Sequence, residues 1–181
     1  KGSGYLSLHE LFFASGGVGV SESLVFAGGI SLFPGASEQL VYLAPKATVY
    51  NKNNRSFSVG ALLGTVTGES DYGGILYGVG TFGPEDQAIT IGSGFLFGGG
   101  DVVSTPIIMI GAEKQLGSRT KFITENYFMP GVSANGVLSL GIRIIGDRLT
   151  TDVAALTHTA VLNEGGFPLF PWVSFSYNFG H

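Results

Sequence analysis

The chain has 181 residues, 44% of them apolar and only 12% charged, with a formal net charge of −4 and no cysteine. An ordinary globular domain carries about 25% charge, so this balance, with a mean hydropathy of +0.35, is membrane-like. The same figures exclude a disulfide framework, thiolate chemistry and the basic footprint of a nucleic-acid binder. Helical spans are excluded too: the densest apolar run, 106–112, falls far short of about 18 residues and is followed by Glu113 and Lys114.

Thirty glycines and fourteen phenylalanines favour strands over helices, because interior glycine costs a helix about 1 kcal/mol relative to alanine. In chain order the alternation predicts about eleven strands, over 5–19, 23–33, 39–50, 55–67, 73–82, 87–98, 104–115, 119–129, 136–146, 148–160 and 169–179. Compact polar turns at 21–23, 51–55, 83–87, 117–118 and 146–148 alternate with longer loops containing Gly, Pro, Ser or Asn at 33–38, 68–72, 98–102, 130–135 and 163–167. Short turns on one rim and longer loops on the other mark an up-and-down antiparallel barrel of the transmembrane type.

Residues two apart share a face. Val41, Leu43, Pro45, Ala47 and Val49 oppose Tyr42, Ala44, Lys46 and Thr48. Phe57, Val59, Ala61 and Leu63 oppose Ser58, Gly60, Leu62 and Gly64, and Ile75, Tyr77 and Val79 oppose Gly74, Gly78 and Gly80. Ile89, Ile91, Phe95 and Phe97 oppose Ala88, Thr90, Gly92 and Gly94, while Leu138 to Ile144 at alternate positions oppose Ser139, Gly141 and Arg143. The reading is that the bulky face meets lipid and the small-residue face lines the interior.

Single-chain barrels of this kind usually have even strand numbers. Eleven visible strands therefore suggest a twelve-stranded closed barrel, residues 1–181 forming one domain that either lacks an N-terminal strand or holds one more strand than counted, near Gly16–Gly17. Lys1 would then begin on the long-loop rim, and a protein subunit at the open edge becomes a plausible partner.

The last segment, Pro171-Trp-Val-Ser-Phe-Ser-Tyr-Asn-Phe-Gly180, resembles the C-terminal strand of Gram-negative outer-membrane β-barrel proteins. Its outward alternation of Val173, Phe175, Tyr177 and Phe179 implies recognition by the barrel-assembly machinery and a bacterial outer-membrane location. Such strands commonly stop at the aromatic, whereas Gly180 and His181 follow here. Through Thr124-Glu-Asn-Tyr127 and Gly141-Ile-Arg143 the chain is also similar to uncharacterised barrels of the Bacteroidetes kind.

Charges within strands need explanation, because Arg or Lys at the lipid midplane costs about 2–4 kcal/mol. Lys46, Glu113, Glu125, Arg143 and Asp152 are therefore expected in the lumen, paired structurally or lining a conduit. Tyr5, Tyr50, Phe82, Phe128, Trp172, Tyr177 and Phe179 are expected at the membrane interfaces. His9, His158 and His181 show no ligand spacing, so neither a metal nor any other cofactor is expected. The leading functional expectation is a membrane-embedded barrel with a structural, anchoring or small-solute pore role, the lipid bilayer its partner, and no enzyme. Two alternatives are a soluble barrel binding an apolar ligand and a lipid-modifying enzyme built on Asp152, His158 and a serine.

Overall fold

The computed structural model describes residues 2–10, 12–131, 136–161 and 169–180. Thirteen strands appear among them: β1 (Gly4–His9), β2 (Phe13–Gly19), β3 (Leu24–Ser31), β4 (Leu40–Lys52), β5 (Arg55–Val66), β6 (Tyr72–Phe82), β7 (Gln87–Gly98), β8 (Asp101–Val102), β9 (Ile107–Gly117), β10 (Thr120–Phe128), β11 (Gly136–Ile145), β12 (Leu149–His158) and β13 (Phe170–Phe179). Every pairing is antiparallel, each long strand bonds its sequence neighbours, and β1 bonds both β2 and β13. The sheet thus closes into a twelve-stranded up-and-down barrel, with the two-residue β8 an appendage on β7. Closure pairs the edges, as a lipid environment demands.

The twelfth strand comes from within 5–19. The chain reverses after His9, where Glu10 takes a φ of 49° and Phe12 N–H donates to the His9 carbonyl at 3.1 Å. Glu10 exchanges backbone contact with β13, donating its N–H to the Val173 carbonyl at 2.9 Å, and its carboxylate accepts the Val173 N–H. Nothing in Glu10 or Phe12 advertises a turn, which is why the segment reads as one strand. Splitting it reverses two expectations. The described residues close the sheet without a strand from outside them or an open edge for a subunit, and β1 starts on the short-turn rim beside the end of β13.

The rims are sorted as expected. Asn53 and Asn54 alone join β4 to β5, both with positive φ (53° and 56°), the mirror-image turn whose twist suits a hairpin. On the opposite rim, the loop after β3 is folded around Gln39. Its side-chain carbonyl accepts from the Ser31 hydroxyl at 2.8 Å and from Phe33 N–H at 3.0 Å, and its amide donates to the Phe33 and Ala36 carbonyls at 3.1 Å each.

Polarity is inverted relative to a soluble domain. Among the described residues Ala88 is the one buried hydrophobic, whereas Ser7, Ser31, Ser58 and Ser174 are buried. The large apolar side chains are outside: Leu6 is 60% exposed, Leu76 57%, and Val59, Ile91, Phe95, Leu140 and Val153 are also exposed. A soluble barrel with an apolar interior would be built the other way round, so that alternative does not fit this wall.

Strand β6 departs from the sequence reading. Ser58, Gly60, Gly92 and Gly94 face inward, and register sets Val79 opposite Ser58 and Gly92, and Tyr77 opposite Gly60 and Gly94. Ile75, Tyr77 and Val79 therefore point inward, while Gly74, Leu76, Gly78 and Gly80 face outward. The bulk is accommodated by its neighbours' missing side chains: a Cβ on Gly60 would lie 2.5 Å from the Tyr77 hydroxyl, and one on Gly92 2.7 Å from Val79. Outside, Phe57 and Phe82 lie across Gly80, with their rings 5.6 Å apart.

Candidate functional site

Twelve strands about 4.8 Å apart and tilted about 40° enclose a backbone radius of about 12 Å, wider than inward side chains alone would fill. Cavities open in the described interior. One of about 350 Å³ lies among Thr81, Thr90, Met109, Glu113, Glu125 and Arg143. Another, of about 570 Å³, touches Tyr5, His9, Ser15, Tyr42, Lys121 and Asp152. Because Tyr42 on β4 and Lys121 on β10 border the same cavity, a molecule there meets both sides of the barrel.

The five charges expected inside all lie on the inward face, joined by Lys121, which the sequence reading missed. Arg143 and Asp152 are directly opposite on β11 and β12 and form a two-pronged pair, Nε to Oδ1 at 2.7 Å and Nη2 to Oδ2 at 2.8 Å. Lys121 on β10 reaches Glu113 on β9 at 3.0 Å and donates to the Glu85 carbonyl in the β6–β7 turn at 2.7 Å. Both ion pairs join adjacent strands, so they brace the wall and leave the lumen uncrossed. Glu125 accepts from the Tyr127 hydroxyl. Lys46, on the opposite side, has no hydrogen-bond or ion-pair partner among the described residues.

Beside Glu125 the β10–β11 ladder is carried by side chains. Residues 124–126 have no direct partners in β11. Instead Thr124 Oγ1 donates to the Ser139 carbonyl at 2.5 Å, Ser139 Oγ donates to the Glu125 carbonyl at 2.7 Å, and Asn126 Oδ1 accepts the Ser139 N–H at 3.2 Å. The Thr124-to-Tyr127 motif is thus where the strand pair is spaced apart without losing its polar partners.

Neutral polar groups cover much of the remaining wall. Ser7 and Ser176, Thr48 and Ser58, and Thr81 and Thr90 are directly opposed hydroxyl pairs at 2.7, 3.0 and 2.9 Å. Three tyrosines lie across directly opposed glycines: Tyr5 over Gly17, Tyr42 over Gly29 and Tyr77 over Gly60. In each, a Cβ on the glycine would sit 2.5–2.6 Å from the ring or its hydroxyl, so the missing side chain makes the bed in which the ring lies.

The aromatics expected at the interfaces divide between the two faces. Tyr50, Phe82, Tyr177 and Phe179 are exposed on the outward face toward the short-turn rim, where Arg148 donates to the Tyr177 hydroxyl at 3.3 Å. Phe128 is outward at the other rim. Tyr5 and Trp172 are instead inward, the latter with its ring centroid 6.0 Å from that of His9. Trp172 shares the parity of Ser174 and Ser176, whose partners fix the inner face, so proximity to the strand end misassigned it.

The histidine-based catalytic alternative is not assembled. Asp152 and His158 lie six residues apart on β12, about 20 Å along a strand, and Asp152 is held by Arg143. His158 Nδ1 accepts the Ala160 N–H at 3.3 Å, and His9 bonds Ser15 Oγ at 3.2 Å. Among the described residues no group of three His, Asp or Glu side chains could hold a metal. His181 lies outside the described residues.

No protein-family model matches the chain, and no curated protein matches it in sequence. Its fold matches solved structures. The KdgM porin, one of whose structures is in complex with disordered oligogalacturonate, superposes with a TM-score of 0.68 over 99% of this chain and 98% of that one, at 6% identity. The NanC porin superposes with a TM-score of 0.59 over 97% of each chain, at 9% identity. These likenesses establish the twelve-stranded barrel architecture along the whole chain.

Proposed function

We propose that the chain is an integral barrel of the bacterial outer membrane whose interior is a conduit for small solutes. The inverted polarity carries this reading: a continuous apolar exterior surrounds an interior of hydroxyls, amides and braced charges that retains open volume. The full-length likeness to the KdgM and NanC porins supports it. In this reading the bilayer is the permanent partner, and the outward Val173, Phe175, Tyr177 and Phe179 of β13 present the assembly signal. The Thr124–Tyr127 and Gly141–Arg143 motifs keep the kinship with Bacteroidetes-type barrels within the same proposal. This reading assigns no catalytic centre, and the Arg143–Asp152 pair argues against a hydrolytic Asp152–His158 arrangement in particular.

The test begins with refolding into detergent micelles, followed by boiled and unboiled gel mobility, far-UV circular dichroism and liposome swelling with small sugars. The expectation is a heat-modifiable, strand-rich species that forms only in detergent or lipid and makes liposomes permeable. A stable strand-rich monomer in plain buffer would sink the membrane reading, and a folded but impermeable barrel would leave an anchor in place of a conduit.

A further inference from the structure

We propose that this interior admits and transiently holds neutral, polyhydroxylated solutes of the oligosaccharide class in preference to acidic ones. The inference rests on the conduit reading and adds the chemistry of the cargo. Its first support is charge. The inward strand residues include Lys46, Lys121 and Arg143 against Glu113, Glu125 and Asp152, which balance. Both Nε and Nη2 of Arg143 are taken by Asp152, and Lys121 is shared between a carboxylate and a backbone carbonyl. Outside these pairs a polyanion would find one cation, Lys46, offset by one carboxylate, Glu125, and so no net positive charge to hold it. Releasing either braced cation would expose a carboxylate that has lost its partner.

The second support is the shape of the neutral wall. Tyr5, Tyr42 and Tyr77 lie across their glycines on the β1–β2, β3–β4 and β5–β6 pairs, so each inward ring is laid along the wall beside the lumen. An aromatic face carries negative quadrupole density and attracts the C–H-rich face of a pyranose. Hydroxyl pairs such as Ser7–Ser176 stand beside these rings and can exchange hydrogen bonds with sugar hydroxyls as readily as with water. Tyr5, Tyr42, Ser7 and Ser176 border the same cavity of about 570 Å³, within the usual range for small-molecule sites.

The deciding experiment uses the full chain refolded into planar lipid bilayers, with maltohexaose and trigalacturonate as probes. A current with potassium and chloride permeabilities within about threefold of each other is expected from the charge balance. Maltohexaose should block it at lower concentration than trigalacturonate. Tyr5→Leu/Tyr42→Leu should raise the half-blocking maltohexaose concentration by about tenfold, on the usual worth of an aromatic contact. Tyr42→Phe keeps the ring face and should retain the block, and gel heat-modifiability shows whether each variant folds. A strongly ion-selective current, or tighter block by trigalacturonate, would overturn the inference while leaving the conduit standing. A folded barrel that passes no current would overturn both.

Discussion

The two sides of the barrel solve the same problem by opposite means. From β1 to β7 the interior is shaped by subtraction: glycines on one strand make room for Tyr5, Tyr42, Tyr77, Ile75 or Val79 on the next. From β9 to β12 it is shaped by addition, with Arg143 tied to Asp152 and Lys121 to Glu113 across neighbouring strands. The first side fixes the shape of the interior and the second fixes its charge. Complementarity between paired strands, more than the pattern along any one strand, is therefore the unit that specifies this wall.

That contrast can be broken most severely on the glycine side. Gly60→Val places a branched side chain against the Tyr77 ring and the Pro45 carbonyl, a Cβ already being 2.8 Å from the latter. The expected cost is about 2–3 kcal/mol, read as a lower urea midpoint for heat-modifiable folding in lipid vesicles. Tyr77→Ala should recover only part of it, because the carbonyl stays in place, and full recovery would show that the ring is the whole obstacle.

On the ionic side, Arg143→Ala and Asp152→Ala should each cost about 1–2 kcal/mol. That is below the 3–5 of a fully buried pair because water reaches the lumen. The double variant should be less destabilised than the sum, and additive losses would mean that the pair does not act as a unit. In bilayers, Arg143→Ala should turn the current toward cations and Asp152→Ala toward anions.

A milder change sharpens the account of the neutral wall. Thr81→Val removes one of two bonded hydroxyls and should cost about 1 kcal/mol, with Thr81→Val/Thr90→Val closer to wild type. The smallest effect is expected at the short-turn rim, where the Arg119–Asp147 pair at 3.0 Å is 68% and 90% exposed. Arg119→Ala should move the midpoint by less than about 0.5 kcal/mol, and a larger loss would reveal a role in the turns that the exposure does not suggest.

Much of this wall was legible in one dimension. Alternation placed the faces of β4, β5, β7, β11 and β13 correctly, and turn composition located the rims. The failures share a cause. In β6 the bulky positions are inward because Gly60, Gly92 and Gly94 stand opposite them, and no reading of β6 alone contains that information. Tyr5 and Trp172 look interfacial from their positions near strand ends, but register turns both inward. The β1–β2 reversal uses Glu10 in a left-handed conformation supported by its bonds to Val173 on β13, a contact 163 residues distant in sequence. Lys121 escaped notice because its significance lies in reaching Glu113, which only the β9–β10 pairing brings near.

The short first strand has a dynamic consequence. With six residues in β1 against twelve in β5, the two seams that flank β1, six paired residues each, are narrow staves in a cooperative ring. Amide exchange should therefore be fastest along β1 and slowest in β5 and β6, and equal protection would argue that the ring opens only as a whole. Breathing between β1 and β13 would part Ser7 from Ser176 and loosen the bed under Tyr5, so a narrow line of the wall runs beside the cavity of about 570 Å³.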